Sequence, residues 1–303
     1  MRNETKGMLF GLVGVSAFGL TLPATSVVVP YMDPVFVGCG RAVIAAMVAL
    51  VLLLWFRQQI PTANQIKQLL VVALGVVIGF PILSSWAMQY VPASHGGVVL
   101  GILPLATAIV GVLVGHEKPS VSFWVVSAFG SGLVILYALL QGAGSIHVAD
   151  FALLGAVIAA AVGYGIGGKL SKELGGSQVI CWALVLSLPF VLIPAALNTP
   201  ESFSDIPISN LASFLYLALV SQLFAFFFWY KGLALGGIAR VSQTQLLQPF
   251  ITLLASVLFL GEVIDTETLV FVFLVVCSVW LGKKMPIGIK ENKHMKPTQT
   301  SRH

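Results

Sequence analysis

The chain has 303 residues, of which 58% are hydrophobic and only 9% are charged. An average soluble domain is about one-quarter charged, because its surface has to face water. This composition excludes a soluble enzyme, a nucleic-acid-binding domain and a disordered chain, and it indicates an integral membrane protein. The net charge of +5 does not alter that conclusion, because the basic residues are scattered between apolar segments.

Ten apolar segments with few or no charges follow one another along the chain. Each is close to the roughly 20 residues that a membrane helix needs, and the first is too long for a signal-peptide core. The sequence therefore predicts an all-α membrane protein with ten transmembrane helices. We place them at residues 8–29, 35–56, 68–89, 93–114, 121–140, 151–169, 178–197, 210–230, 238–260 and 267–284.

The basic residues predict the orientation of these helices. With the N-terminus in the cytoplasm, 15 of the 16 Lys and Arg residues fall on the cytoplasmic side, and the exception is Arg41 within the second helix. Cytoplasmic loops of membrane proteins carry an excess of Lys and Arg. Both termini are therefore predicted to be cytoplasmic, and residues 285–303 are predicted to form a basic, disordered tail.

A proline–glutamate pair occurs once in each half of the chain. Pro104 precedes Glu117 by 13 residues, and Pro249 precedes Glu262 by the same number, at an offset of 145. The offset corresponds to five helices, and an odd number predicts that the second copy enters the membrane inverted. We expect repeats at residues 7–141 and 150–284, because inverted repeats commonly build a central site with alternating access.

These features resemble the EamA-type transporters of the drug/metabolite transporter superfamily. The resemblance rests on the phrases from Pro104 to Glu117 and from Pro249 to Glu262, and on Arg41 between Gly40 and Ala42. It implies a bacterial inner-membrane exporter of amino acids or other metabolites. It also implies a substrate cavity lined by the first, third and fourth helices and their repeat-related partners. The two prolines and two glutamates are interpreted as turn, cap or gate residues.

Helix nine is unusually polar for a membrane helix. Gln245, Gln248 and Thr252 recur at helical spacing and share one face, and Thr244 lies beside them. A buried amide without a partner is costly, so this face is predicted to meet substrate or water. The alternative is that these side chains bind neighbouring helices.

Aromatic and amide residues near other helix ends are further substrate-binding candidates. Trp86 and Gln89 lie near the end of helix three, and Trp229 lies near the end of helix eight. Trp at such positions also anchors helices at the membrane interface, which is the alternative interpretation. Tyr164 lies deeper, inside helix six, where its hydroxyl needs a partner.

Two basic side chains complete the predicted site. Arg41 is a charge embedded in a helix, which predicts an interior position and a bond to a substrate carboxylate. The alternative is a structural role, in which the side chain snorkels to the membrane surface or bonds to backbone carbonyls. His95 begins helix four on the outer side, and Arg240 occupies the related position in the second repeat.

Together these observations predict a secondary transporter that exports a small metabolite, with an amino acid or a similar zwitterion as the preferred class. The alternative is export of drug-like or cationic compounds, but no Asp or Glu lies in the middle of a predicted span. No catalytic constellation, metal motif or cofactor motif is recognised. The predicted partners are a small-molecule substrate and the lipid bilayer, without nucleic acid. Monomer and homodimer both remain open.

Overall fold

The computed structural model describes residues 3–140, 147–251 and 266–289, and most of them are helical. The first half contains α1 (Asn3–Gly19), α2 (Thr21–Val28), α3 (Pro34–Trp55), α4 (Ala63–Val72), a π-helical segment (Ala73–Gly79), α5 (Phe80–Ala87), α6 (Ala93–Leu100), α7 (Leu103–Gly115), β1 (Glu117–Pro119) and α8 (Val121–Leu140). The second half contains α9 (Ala149–Leu174), α10 (Gly176–Leu197), α11 (Ile208–Leu215), a second π-helical segment (Tyr216–Phe224), α12 (Ala225–Gly236), α13 (Ile238–Ser242), a 3₁₀ segment (Gln243–Leu247), α14 (Thr266–Lys284) and β2 (Ile287–Ile289).

Several continuous helical stretches have the length and apolar character of membrane spans. Six of them qualify among the described residues: Asn3–Val28, Pro34–Trp55, Ala63–Ala87, Ala149–Leu174, Gly176–Leu197 and Ile208–Gly236. Shorter apolar helices cover Leu103–Gly115 and Val121–Tyr137, and every predicted span overlaps helical residues. The chain is thus an all-α membrane protein. The count of ten crossings and the orientation of the termini stay predictions.

Local sequence determines where several helices begin and end. Asp33 is the N-cap of α3, where its side chain accepts a hydrogen bond from the backbone N–H of Val35, and Pro34 fills the first turn. Gly175 ends α9 and Gly237 ends α12, both at a φ of 87°. Only glycine adopts that conformation without strain, so both positions permit a direct connection to the next helix.

Two helices contain π-helical segments at related positions in the sequence. The first, Ala73–Gly79, and the second, Tyr216–Phe224, begin 143 residues apart, close to the repeat offset. The two segments are also joined, because Gln222 Nε2 donates a 3.0 Å hydrogen bond to the carbonyl oxygen of Val76. Such segments are rare and are frequently found at functional sites.

Glycines allow two helix pairs to pack with their backbones in contact. Between α1 and α12, a Cβ atom at Gly7 would lie 2.5 Å from Gly236 Cα. Between α9 and the first π-helical segment, a Cβ atom at Gly75 would lie 2.5 Å from the carbonyl oxygen of Ala159. Lipid provides no hydrophobic drive between helices, so close approach of small residues supplies the packing energy instead.

A two-stranded antiparallel sheet joins the end of α14 to the α7–α8 connection. Glu117 pairs with Ile289 and Pro119 pairs with Ile287. Residues 287–289 therefore form a strand where the sequence predicted the start of a disordered tail. The strand is formed by the Ile-Gly-Ile run at residues 287–289. The basic composition of the rest of the tail masked this short apolar run in the sequence. Residues 290–303 lie outside the described part of the chain.

Candidate functional site

A cavity lies where helices from both halves of the chain meet. The space between its lining atoms is about 440 Å³, including the part that is open to solvent. It is bordered by the junction between α1 and α2 and by both π-helical segments. Its lining residues are Phe18, Thr21, Leu22, Arg41, Val76, Phe80, Leu100, Leu103, Tyr164, Ser221, Gln222, Phe226 and Gln248.

Arg41 carries the charge of this cavity. The residue is only 1% exposed, and its Nε and Nη1 atoms are buried without a hydrogen-bond partner. Among the described residues that line the cavity there is no Asp or Glu. A buried guanidinium with unpaired donors is costly unless an anion pairs with it, and its planar fork matches a carboxylate. The position of Arg41 therefore fits recognition of an anionic group.

Uncharged polar groups surround Arg41 and are largely bonded to one another or to the backbone. The hydroxyls of Thr21 and Ser221 lie 2.8 Å apart. Gln248 Nε2 donates to the carbonyl oxygen of Phe18 at 3.3 Å, across the cavity edge. These bonds hold α2, the second π-helical segment and helix nine around the same space.

Aromatic rings form the apolar wall of the cavity. The ring centroid of Phe18 lies 5.0 Å from that of Phe226 and 6.2 Å from that of Tyr164. Trp229 packs behind them, with its centroid 5.2 Å from the Tyr164 ring, and it is fully buried. The structure thus places Tyr164 on the cavity surface and Trp229 in the layer that supports it.

A second cavity adjoins the first one. The two share Leu22, Leu100 and Gln248, and the second is also lined by Gly19, Gly97, Gly101, Val134, Gln245 and Pro249. Gln245 is 4% exposed, and neither its amide nitrogen nor its amide oxygen has a hydrogen-bond partner. Two buried, unpartnered polar groups therefore line adjoining spaces: the guanidinium of Arg41 and the amide of Gln245.

A hydrogen bond and an ion pair connect the starts of helices outside these cavities. His95 in α6 lies with Nε2 2.5 Å from Asp150 Oδ1 at the start of α9. Arg240 in α13 forms an ion pair with Glu4 at the start of α1, and it also donates to the carbonyl oxygen of Met285. The predicted candidate His95 is thus placed beside a carboxylate rather than in the cavity.

Glu117 forms a helix cap. Its carboxylate accepts hydrogen bonds from the backbone N–H groups of Ile238 (2.7 Å) and Ala239 (2.8 Å) at the start of α13. Buried at 5% exposure, it neutralises the partial positive charge of that helix end. The related Glu262 lies outside the described residues.

The remaining predicted residues occupy varied positions. The Pro104 carbonyl oxygen accepts a 3.1 Å hydrogen bond from Ser242 Oγ, and the Thr244 hydroxyl donates to the carbonyl oxygen of Val241. Trp86 and Gln89 are exposed, and the Trp86 ring packs against Tyr90 with centroids 4.8 Å apart. Neither lines the two cavities. Thr252 lies outside the described part of the chain.

Sequence reasoning missed three polar residues of the cavity: Thr21, Ser221 and Gln222. A signal was present, because Ser221 and Gln222 form a polar pair in the middle of the uncharged stretch predicted as helix eight. Thr21 follows the break after Gly19, and the uniform apolar pattern of the first helix does not reveal that break.

Comparison with known proteins identifies relatives over nearly the whole chain. Residues 5–139 and again residues 147–282 match the model of the EamA-like transporter family. The chain is 49% identical over 262 residues to "Uncharacterized transporter YdeK" of Bacillus subtilis (strain 168), covering 86% of this chain and 91% of the relative. It is 24% identical over 234 residues to the "Probable terminal-alkyne amino-acid exporter" of Streptantibioticus cattleyicolor, covering 75% and 76%. A solved crystal structure matches with a TM-score of 0.72 and 14% identity, over 92% of this chain and 98% of the other, and so shares the fold.

Proposed function

Because the chain belongs to the EamA-like transporter family, we propose that it exports a small carboxylate-bearing metabolite across the bacterial inner membrane. The observation that carries this proposal is Arg41, a buried cation with unpaired donors in a cavity whose described lining contains no carboxylate. An anionic ligand supplies the missing partner. An amino acid is the preferred class, since one relative bears the name of an amino-acid exporter.

Alternating access through two inverted repeats is the proposed mechanism. The helix contacts support it. Each contact joins a helix of one half to a helix of the other half, and the two contacts are related by the repeat. The first helical stretch (α1) packs on the eighth (α12), and the sixth (α9) packs on the third (the first π-helical segment and α5). An exchange of these two contacts would open the cavity first to one side and then to the other.

The charge of the cavity opposes the alternative substrate class. Drug-like cations would have to enter a space that already holds the buried guanidinium of Arg41, and no Asp or Glu among the residues described there offsets the repulsion. The same charge favours a carboxylate at that point. A zwitterion is accommodated when its carboxylate faces Arg41 and its ammonium faces the hydroxyl groups of Thr21 and Ser221.

Efflux from proteoliposomes tests this proposal. Purified protein is reconstituted, and the release of preloaded, labelled amino acids is compared with release of the matching amino-acid amides. We expect export of the free acids, a reduction of at least about tenfold in Arg41→Gln, and partial recovery in Arg41→Lys. Lys67→Gln removes a positive charge from an exposed position and should export normally. Equal export by Arg41→Gln and the parent protein would refute the role of Arg41.

The predicted orientation has its own test. A cytoplasmic reporter fused after residue 200 should be inactive, because the α10–α11 connection is proposed to lie outside the cell. A fusion at the C-terminus should be active. Reporter activity after residue 200 would contradict the proposed count and orientation of spans.

A further inference from the structure

The two adjoining cavities offer two separate polar groups to a ligand. Arg41 is a cation with only hydrogen-bond donors, and its Nε and Nη1 atoms are unpartnered. Gln245 has a buried amide with one donor group and one acceptor group unpartnered. Other buried side chains, such as those of Ser85 and Thr107, also lack a partner. Of the unpartnered groups in the described part of the chain, only Arg41 and Gln245 line the two adjoining cavities. Because buried polar groups are nearly always hydrogen-bonded, a ligand in these cavities would pair with both.

Two of the three residues that the cavities share are apolar. Leu22 and Leu100 line both cavities, and Gln248 lies at the shared edge with its Nε2 bonded to Phe18. A molecule that extends from Arg41 to Gln245 along these shared residues would contact two leucine side chains. Its middle part is best matched by methylene groups.

We propose that the site recognises an amino carboxylate whose far end carries an uncharged group that both donates and accepts hydrogen bonds, such as a side-chain carboxamide. The carboxylate pairs with Arg41, the methylene groups contact Leu22 and Leu100, and the far amide forms reciprocal hydrogen bonds with Gln245. This inference rests on the proposed export of carboxylates, and it adds a second specificity-determining residue.

Charge and hydrogen bonding at the far end distinguish this class from close relatives. A second carboxylate would enter a cavity in which no Lys or Arg is found in the part of the lining that the structure describes. A branched alkyl group would leave both amide atoms of Gln245 unpaired. Sites built to hydrogen-bond a group discriminate strongly against an analogue that lacks it.

Isosteric pairs of amino acids test the proposal. L-leucine carries an isopropyl group where L-asparagine carries a carboxamide of similar size. L-homoleucine and L-glutamine differ in the same way. Competition of each compound against export of a labelled substrate from proteoliposomes gives a preference ratio for each pair. We expect the parent protein to prefer at least one carboxamide over its isostere by at least tenfold.

Gln245→Leu should remove this preference and reduce the ratio to within about threefold. Gln243→Leu is the matched control, because Gln243 is a buried amide in the same 3₁₀ segment that bonds to the carbonyl oxygen of Ala239 and lines neither cavity. It should keep the parent ratio. The melting temperature of each purified variant shows that it is folded.

The two proposals fail in different ways. Carboxylate export with no carboxamide preference, or with the same preference in Gln245→Leu, would overturn the role of Gln245 alone. If none of the free amino acids is exported or competes, while the protein moves compounds that lack a carboxylate, the proposed function itself fails.

Discussion

His95 and Asp150 connect the starts of α6 and α9 through a 2.5 Å contact between Nε2 and Oδ1. The second Asp150 oxygen accepts the backbone N–H of His147 at 2.8 Å, which fixes the carboxylate in place. Arg240 and Glu4 connect the starts of α13 and α1 in the same manner. In the proposed inverted arrangement the first pair lies on the outer side and the second on the inner side.

Breaking the outer pair should expose the cavity to the outside. His95→Gln removes the imidazole ring that contacts Asp150, so the outer ends of α6 and α9 should separate more readily. A cysteine at position 22, where Leu22 lines both cavities, should then react several-fold faster with a membrane-impermeant thiol reagent added outside. Arg240→Gln is the counterpart and should not accelerate external labelling. Equal acceleration in both variants would contradict the assignment of the two pairs to opposite sides.

Removing the negative charge of Glu117 should destabilise the folded protein. Two backbone N–H groups of α13 donate to this buried carboxylate, and Glu117→Gln weakens both hydrogen bonds and the interaction with the helix dipole. We expect a loss of about 1–3 kcal/mol, seen as a lower melting temperature in detergent. Glu173→Gln changes an exposed carboxylate and should shift the melting temperature far less. A normal melting temperature in Glu117→Gln would show that the cap contributes little.

Adding a methyl group at the close contact between α1 and α12 should destabilise the protein more than adding it at an open position. Gly7→Ala forces a Cβ atom to within 2.5 Å of Gly236 Cα, so the two helices have to separate. Overpacking of this kind costs about 1–3 kcal/mol. Gly132→Ala meets no atom within 4 Å and is the control. Thermal unfolding of both variants decides the matter, and equal stability would refute the close contact.

Gln245→Leu should raise the stability of the protein without ligand. Its amide is buried and unpartnered, so replacing it with an apolar group of similar size removes a desolvation penalty of about 1–3 kcal/mol. Gln243→Leu instead removes existing hydrogen bonds and should lower the melting temperature. A destabilised Gln245→Leu protein would indicate that the amide supports the fold.

Composition and the length of uncharged segments were sufficient to predict a mostly helical membrane protein, because membrane spans follow from such segments. Arg41, Tyr164 and Gln248, which the sequence predicts as substrate contacts, line one cavity. The helical periodicity of the polar residues was less informative about which face of a helix each side chain occupies. A 3₁₀ segment spans Gln243–Leu247, so Gln245 and Gln248 do not follow one regular α-helical face.

The π-helical segments explain why other cavity residues escaped prediction. A π-helical turn changes the angular position of every later side chain, so Ser221 and Gln222 cannot be assigned to a face from a 3.6-residue period. Trp86 and Gln89 lie beyond the first such segment, on the exposed side of α5 and its end. Helical segments were predictable from composition, whereas the direction of a side chain after an irregular turn depends on the packed structure.

The short sheet of β1 and β2 has a mechanical consequence. It ties the residues after α14 to Glu117, which itself caps α13, while Arg240 of α13 bonds to the carbonyl oxygen of Met285. The ends of α7, α13 and α14 are thus cross-braced at one corner of the bundle. A movement that opens this corner therefore has two possibilities. The three helices move together as a rigid unit, or the strand pairing, the helix cap and the Arg240 hydrogen bond all break.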